Sequence, residues 1–240
     1  MEKIEFCKKL KFEAEKIGCK LNEEQLTKFY KYMNCLIEWN EKINLTAITD
    51  PEEVITKHFI DSLTVHQYIK DNFSIVDVGT GAGFPGVPLA IVNNKSNITL
   101  VDSLNKRINF LKEITNQFEL KNVQSIHDRA EEFGKDKQYR ESFDIAISRA
   151  VARLNVLAEY LLPTVKVGGK CICMKGPDCK QEIEEAQNAI KVLGGSIERV
   201  EEFSLPDTDI KRTIIVINKV KNTPSKYPRK AGTPAKDPIK

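Results

Sequence analysis

Apolar residues follow one period in the first third of this chain and another in the rest. Up to residue 72 they recur at helical spacing, which predicts helices over 2–17, from 23 until just before Trp39, and over 50–65. From Ser74 onward, short runs of β-branched and apolar residues alternate with helical patterns. The chain therefore predicts an N-terminal helical cap followed by an α/β domain.

Seven of these short runs predict β-strands. They cover 75–78, 98–101, 123–126, 143–147, 170–174, 197–203 and 213–218, and the helical patterns between the first five cover 86–93, 105–118, 129–138 and 151–165. Strands that alternate with such helices form right-handed βαβ units, and hence a parallel sheet. The last two strands are joined only by 204–209, which is too short for a helical crossover, so we expect them to pair antiparallel.

Charge divides the chain further. Residues 219–240 carry seven Lys and Arg against Asp237 alone, a local +6 in a chain of net charge +3, together with four of the ten prolines. Because proline excludes a helix interior or a central strand, we expect a flexible basic arm suited to an anionic partner, or a solubilising tail without a ligand. The expected division is a helical cap over 1–72, an α/β domain over 73–220 and a basic tail over 221–240.

Composition gives no sign of a membrane span, a leader or a metal site. The chain is 41% hydrophobic and 30% charged, its first residues include acids, and no apolar stretch is long enough to cross a bilayer. The six cysteines lack paired Cys-x-x-Cys spacing, and Cys171 and Cys173 share one face of a predicted strand. We therefore expect a cytoplasmic monomer with packed thiols and no metal.

The most informative segment is a strand that runs directly into a glycine-rich turn. Residues 75–78 end in Asp77-Val78, four glycines lie within 79–86, and an apolar helix follows. A strand, a glycine turn and a helix N-terminus together form a nucleotide-type cofactor site. Residues 81–86 match G-x-G-x-x-G, with Asp102 ending the next strand, so a nicotinamide enzyme must be considered. Against it, the glycine run begins directly after Asp77-Val78, and a two-half dinucleotide fold has no terminal antiparallel hairpin.

Both features resemble the class I S-adenosylmethionine-dependent methyltransferases. That Rossmann-like fold has a seven-stranded sheet, mostly parallel, with a C-terminal antiparallel hairpin. The resemblance implies that Asp77, Gly79, Gly81 and Gly83 line the methionine end of the cofactor. It also implies that Asp102 accepts hydrogen bonds from the ribose hydroxyls, although Asp102 could instead cap the helix that follows it.

Five motifs sharpen the resemblance. They lie at 44–46, 58–63, 77–86, 148–152 and 227–234. Together they resemble the bacterial 16S ribosomal RNA guanine-N7 methyltransferases, the glucose-inhibited division protein B family, over essentially the whole chain. The resemblance implies S-adenosyl-L-methionine as the cofactor and 16S ribosomal RNA, or the small ribosomal subunit, as the partner.

The family pattern also implies further cofactor contacts. Gly79 and Phe84 would touch the cofactor, Ala130 and Glu131 would lie near its adenine, and Arg149 would complete the set. Each has a simpler interpretation. Phe84 could pack at the start of a helix, 130–131 could be an ordinary first helical turn, and Arg149 could pair with Glu131 or another neighbour.

Guanine N7 carries a lone pair in the neutral base, so its methylation needs no general base. We therefore expect no obligatory catalytic residue, and we expect Arg149 to position guanine O6, a phosphate or the cofactor carboxylate. Methyltransferases of exocyclic amines often carry an Asn/Asp-Pro-Pro-aromatic motif, and 148–151 lacks it.

RNA contacts are expected from cationic residues, namely His58, Lys175, Arg229 and Lys230. His58 is equally well explained as a buried hydrogen-bonding residue beside Phe59. Two other functions stay open on the sequence: a methyltransferase acting on a small molecule or protein, and a non-catalytic nucleoside-binding factor for ribosome assembly.

Overall fold

The computed structural model describes all residues from Met1 to Lys240. Its N-terminal third is helical, with α1 over Lys3–Lys16, α2 over Glu23–Ile43, and a continuous helical stretch over 51–63. That stretch consists of α3 (Pro51–Glu53), a π-helical turn (Val54–Ile60) and α4 (Asp61–Leu63), and a 3₁₀ turn follows at His66–Tyr68. No helix combines the length and the hydropathy needed to cross a membrane.

Helix α2 is longer than the sequence predicts. It begins at a capping box in which Asn22 and Gln25 each accept the other's backbone N–H at 2.9 Å. The prediction that it ends before Trp39 is wrong, because no breaker intervenes before Asn44, which stops the helix in the left-handed conformation (φ 49°). Trp39 packs against the core and donates from its indole nitrogen to Glu113 at 3.0 Å.

The remaining chain forms one seven-stranded sheet in the order β3-β2-β1-β4-β5-β7-β6. The strands are β1 (Ser74–Val78), β2 (Asn97–Asp102), β3 (Val123–His127), β4 (Phe143–Arg149), β5 (Val165–Lys175), β6 (Gly195–Ser204) and β7 (Lys211–Lys219). The first five are parallel, and β7 pairs antiparallel with both β5 and β6. The predicted fold class and hairpin are therefore confirmed.

Helices flank this sheet on both faces. They are α5 (Gly86–Val92), α6 (Asn105–Gln117), α7 (Ala130–Phe133), α8 (Leu154–Leu161), extended by a 3₁₀ turn, and α9 (Lys180–Val192). The helix predicted over 129–138 shrinks to the single turn of α7, because the chain leaves it in a series of turns around Asp136. The helix predicted over 151–165 begins only at Leu154.

Two hydrophobic cores lie on opposite faces of the sheet, as the period-two alternation of the strands requires. Ile75 of β1 joins the core shared with α1 and α2, whereas Val76 and Val78 join the core beneath α8 and α9. Cys171 and Cys173 are free thiols buried in the second core, as expected, and burial raises the pKa of Cys173 to about 12.

The C-terminal segment corrects the sequence analysis. Residues 221–240 lie on the core instead of extending from it as a flexible arm. They include a one-turn helix, α10 (Thr233–Lys236), although a helix was not expected in so proline-rich a segment. Pro234 sits in the first turn of α10, where its missing N–H costs nothing. Arg140 fixes this segment by donating to the carbonyls of Thr223 at 2.8 Å and Tyr227 at 2.7 Å.

Candidate functional site

A cavity of about 710 Å³ opens at the carboxyl ends of the central strands. It lies where the strand order reverses, since β1 is flanked by β2 on one side and by β4 on the other. Ligands of open α/β sheets bind at such a switch point. The residues that line it include Leu45, Thr46, His58, Val78, Gly79, Thr80, Gly81, Ala82, Phe84, Asp102, Arg107, Ala130, Glu131, Arg149, Val151, Tyr160, Gly232 and Ala235.

The glycine turn forms one wall of this cavity with its main chain. Gly79 and Gly81 both have positive φ, 73° and 62°, which disfavours any other residue. A Cβ at Gly79 would lie 2.6 Å from Val151, while one at Gly81 would meet no atom within 4 Å. The backbone amides of Gly79 and Thr80 bond to the carbonyl of Val101, which attaches the turn to β2.

Two predicted cofactor residues support the turn from behind instead of lining the cavity. Gly83 faces α2, where a Cβ would lie 2.6 Å from the hydroxyl of Tyr32. Asp77 is fully buried, and its Oδ2 accepts from Thr80 Oγ1 at 2.7 Å and from Gly86 N at 2.8 Å. Asp77 and Gly83, both predicted to line the methionine end of the cofactor, thus hold the turn in shape from behind and are not among the residues that line the cavity.

Burial of Asp77 also has an electrostatic consequence. Its Oδ1 has no hydrogen-bond partner, and burial raises the pKa of the carboxyl group to about 6. The bonds to Thr80 and Gly86 oppose this rise. Thr80 and Gly86 therefore hold a carboxyl group whose charge is poorly solvated directly beneath the cavity.

Asp102 lies at the end of β2 and lines the cavity, as predicted. Its Oδ2 accepts from Gly81 N at 2.9 Å and from Arg107 at 3.2 Å, and its Oδ1 accepts from Leu104 N at 2.9 Å. The following helix, α6, starts at Asn105 without a side-chain cap. Asp102 therefore joins the glycine turn to the chain after β2, and the helix-capping interpretation does not hold.

Ala130 and Glu131 form the first turn of α7 and also line the cavity. The Glu131 side chain is buried, and its Oε1 accepts from the backbone N–H of Gly232 at 2.7 Å. Gly232 and Ala235 thereby bring the C-terminal segment into the cavity wall. Neither residue was predicted from the sequence, although Gly232 lies within the motif at 227–234 and Ala235 directly follows it.

Arg149 at the end of β4 pairs with Asp61, not with Glu131. Its Nη1 donates to Asp61 Oδ2 and to the Lys57 carbonyl, both at 3.1 Å, and its Nη2 donates to His58 Nδ1 at 3.3 Å. The π-helical turn supplies Lys57 and His58, and Asp61 follows it directly as the first residue of α4; such turns are frequent at functional sites. The other oxygen of Asp61 accepts from Arg212 Nε at 3.0 Å.

An aromatic stack lies beside Arg149 and His58. The ring of Phe84 lies parallel to that of His58, with centroids 4.4 Å apart, and also stacks on Tyr32. The guanidinium of Arg149 lies 5.0 Å from the Phe84 centroid, within cation–π range. Phe84 therefore lines the cavity and also packs at the start of the helix, so both interpretations hold.

His58, which contacts both Phe84 and Arg149, is buried and neutral. Burial, and then the neighbouring charge of Arg149, lower its pKa to about 3. Near neutral pH, His58 therefore carries no positive charge that could bind a phosphate. Of the two interpretations, a buried hydrogen-bonding residue fits the structure better than an RNA contact.

The other predicted RNA contacts differ in accessibility. Lys175 donates to the Ala152 carbonyl at 2.7 Å and pairs with Glu182 at 2.6 Å. Arg229 is engaged by Glu159, with its Nη2 2.7 Å from Oε2. Of the four residues predicted to contact RNA, only Lys230 has an exposed side chain without a protein partner.

The shifted pKa of His58 predicts a loss of stability in acid. Folded His58 binds its proton only near pH 3, whereas an unfolded histidine binds one near pH 6.5, so stability falls as pH falls through this window. Between about pH 7.5 and pH 5 this group should remove about 2 kcal/mol of unfolding free energy. Urea titrations of wild type and His58→Gln across this range measure the difference. His66→Gln should keep the wild-type profile, and parallel profiles for wild type and His58→Gln would contradict the prediction.

Known proteins similar to this chain identify its family. The family described as rRNA small subunit methyltransferase G (GidB) matches residues 25–214. The ribosomal RNA small subunit methyltransferase G of Alkaliphilus metalliredigens is 52% identical over 233 residues, covering 96% of this chain and 98% of that protein. The protein of the same name from Clostridium beijerinckii is 53% identical over 231 residues, covering 95% of this chain and 96% of its own.

Solved structures share the fold at much lower identity. TYW2 of M. jannaschii in complex with AdoMet has a TM-score of 0.52 at 15% identity, covering 65% of this chain and 72% of that chain. A putative transferase from Pyrococcus horikoshii has a TM-score of 0.54 at 14% identity, covering 68% and 63%. The family match decides against a nicotinamide enzyme. This chain belongs to the rRNA small subunit methyltransferase G family.

Proposed function

We propose that this protein transfers a methyl group from S-adenosyl-L-methionine to N7 of a guanine in 16S ribosomal RNA. The observation that carries the proposal is the cavity at the switch point, walled by the main chain of the glycine turn and by Asp102. Family membership and the motif at 227–234 support the choice of ribosomal RNA as the substrate.

The residues present fit the methyl donor. A turn without side chains at Gly79 and Gly81 lets a ligand approach the backbone closely, and Asp102 offers a carboxylate at the strand end for ribose hydroxyls. Ala130 and Glu131 would flank the adenine. When bound, the donor supplies an electrophilic methyl group on a sulfonium.

Arg149 keeps donors free for a ligand. A guanidinium has five N–H groups, and three of them are used by Asp61, the Lys57 carbonyl and His58. The remaining two, on Nε and Nη2, can bind a carboxylate or another anionic oxygen in the cavity. Because Asp61 and His58 fix the guanidinium, Arg149 is a preorganised positioning residue.

No residue of the cavity needs to remove a proton. Guanine N7 attacks through its lone pair, so the chain has to hold the base in line with the methyl group and exclude water. The neutral ring of His58 and the buried Phe84 suit that task, since they place no additional cation beside a purine that becomes positively charged.

The exposed lysines of the C-terminal segment are proposed to bind RNA phosphates. Lys221, Lys226, Lys230, Lys236 and Lys240 are all exposed, whereas Lys219 is buried against Glu141. Gly232 and Ala235 of this segment line the cavity, so Lys230 and Lys236 are the exposed lysines nearest to it along the chain.

Replacing Lys226 and Lys230 with alanine is expected to weaken RNA binding and its dependence on salt. Each lost phosphate contact should reduce the slope of log K against log salt by about 0.7 for single-stranded RNA. Binding titrations of a 16S RNA fragment at several salt concentrations measure the slope. A matched pair, Lys8→Ala with Lys11→Ala on α1, should leave it unchanged, and equal slopes for both pairs would contradict the assignment.

The activity is tested by methyl transfer from labelled S-adenosyl-L-methionine to small ribosomal subunits of a strain lacking the gene. Mass spectrometry of the 16S RNA should locate one added methyl group on a guanine. Incorporation into protein or a small molecule instead would support the second methyltransferase hypothesis. Binding of the subunit without incorporation would support an assembly factor.

A further inference from the structure

We propose that Thr46 donates a hydrogen bond to O6 of the target guanine and thereby discriminates guanine from adenine. The inference rests on the proposed function and deepens it, because it assigns the recognition of the base to the helical cap. Thr46 lies in the loop after α2 and lines the cavity together with Arg149 and Phe84.

The direction of the hydrogen bonds around His58 follows from the chemistry of its neighbours. Arg149 has only donors, so the His58 Nδ1 that faces its Nη2 at 3.3 Å must accept. A neutral imidazole with an accepting Nδ1 carries its proton on Nε2. His58 Nε2 therefore donates to Thr46 Oγ1, which lies 2.9 Å away.

Thr46 receives a second donor on the same oxygen. The backbone N–H of Ile48 bonds to Thr46 Oγ1 at 3.0 Å. A hydroxyl oxygen has two lone pairs and one proton, so both acceptor positions are filled and only the proton is left. No acceptor of the protein pairs with that proton, and Asn40 holds the residue in place through the Thr46 backbone N–H at 2.8 Å.

The network thus makes Thr46 an obligate donor at the cavity surface. On its major-groove edge guanine presents two acceptors, N7 and O6, whereas adenine presents N7 and a donor amine. A donor directed at O6 binds guanine without occupying the N7 lone pair that must attack the methyl group. The same donor would meet the amine of adenine with no acceptor, and a site with an unpaired polar group rejects that base.

The test is a cycle between the Thr46 hydroxyl and the O6 atom. Wild type, Thr46→Val and Thr46→Ser are assayed on small subunits reconstituted with 16S RNA carrying either guanine or 2-aminopurine, which lacks O6 but keeps N7, at the methylated position. Thr46→Val should lower kcat/KM on guanine about 10-fold more than on 2-aminopurine, and Thr46→Ser should restore the wild-type preference. Any disturbance of His58 by the valine affects both substrates equally and cancels in the ratio.

A Thr46→Val variant that loses activity equally on both substrates would overturn the inference. So would a variant that binds S-adenosylhomocysteine 10-fold more weakly in calorimetry, because Thr46 would then contact the cofactor. If wild type methylates neither RNA, the proposed function itself fails. If wild type methylates guanine and Thr46→Val behaves identically, the inference alone fails.

Discussion

Replacing Arg229 with alanine is expected to lower the free energy of unfolding by about 3 kcal/mol, because it leaves a buried carboxylate without its cation. Glu159 on α8 is fully buried. Its two oxygens accept from the Arg229 backbone N–H at 2.7 Å, from Nε at 3.0 and 3.2 Å, and from Nη2 at 2.7 Å. Urea titration at neutral pH measures the loss.

Two further variants, compared with Arg229→Ala, separate the effect of the ion pair on stability from the effect of the positive charge of the C-terminal segment. Lys230→Ala removes an adjacent, exposed cation and should leave stability within about 0.5 kcal/mol of wild type. Glu159→Gln combined with Arg229→Ala should recover much of the loss, since no buried charge is then left unpaired. If Arg229→Ala is as stable as Lys230→Ala, the pair does not anchor the C-terminal segment.

This pair shows what the sequence could not reveal. Arg229 was expected to bind RNA because it lies in a basic, proline-rich stretch. A count of charges cannot show that Arg229 instead forms an ion pair with the one acidic residue of α8, Glu159. Glu159 falls at an apolar position of α8, between Ala158 and Tyr160 in the second core. A carboxylate there has to find a cation, but its partner lies 70 residues away in the chain.

The sheet and the position of the cavity were predictable for a physical reason. Period-two alternation, helix-length crossovers and the short 204–209 connection each restrict strand pairing locally, so the topology follows from neighbouring segments. The glycine turn after β1 likewise identifies the ligand edge, because Gly79 and Gly81 adopt conformations that few other residues tolerate.

Side-chain direction was harder to predict than residue position. Asp77 and Asp102 both stand at the ends of predicted strands, yet only Asp102 lines the cavity, while Asp77 turns under the loop toward Thr80 and Gly86. Asp61 was not predicted as the partner of Arg149 because it belongs to the helical cap, far from Arg149 in the sequence. It directly follows a π-helical turn, and no simple periodicity predicts such a turn.

Replacing Asp102 with asparagine is expected to weaken cofactor binding about 10- to 150-fold, equivalent to the roughly 1.5–3 kcal/mol of charge-assisted hydrogen bonds. Part of the loss is the charge that would bind ribose hydroxyls. The rest comes from the turn, because both oxygens of Asp102 already accept backbone N–H groups, from Gly81 and from Leu104. An amide in either orientation points its NH₂ at one of these donors.

Calorimetric titration with S-adenosylhomocysteine measures this effect without requiring turnover. Asp71→Asn is the matched control, because Asp71 is an exposed carboxylate paired with Lys95 and does not line the cavity, and it should bind like wild type. Denaturation of both variants shows whether the fold is intact. Unchanged affinity in a folded Asp102→Asn protein would mean that the ligand does not rest on the end of β2, and the placement of the cofactor in this cavity would be wrong.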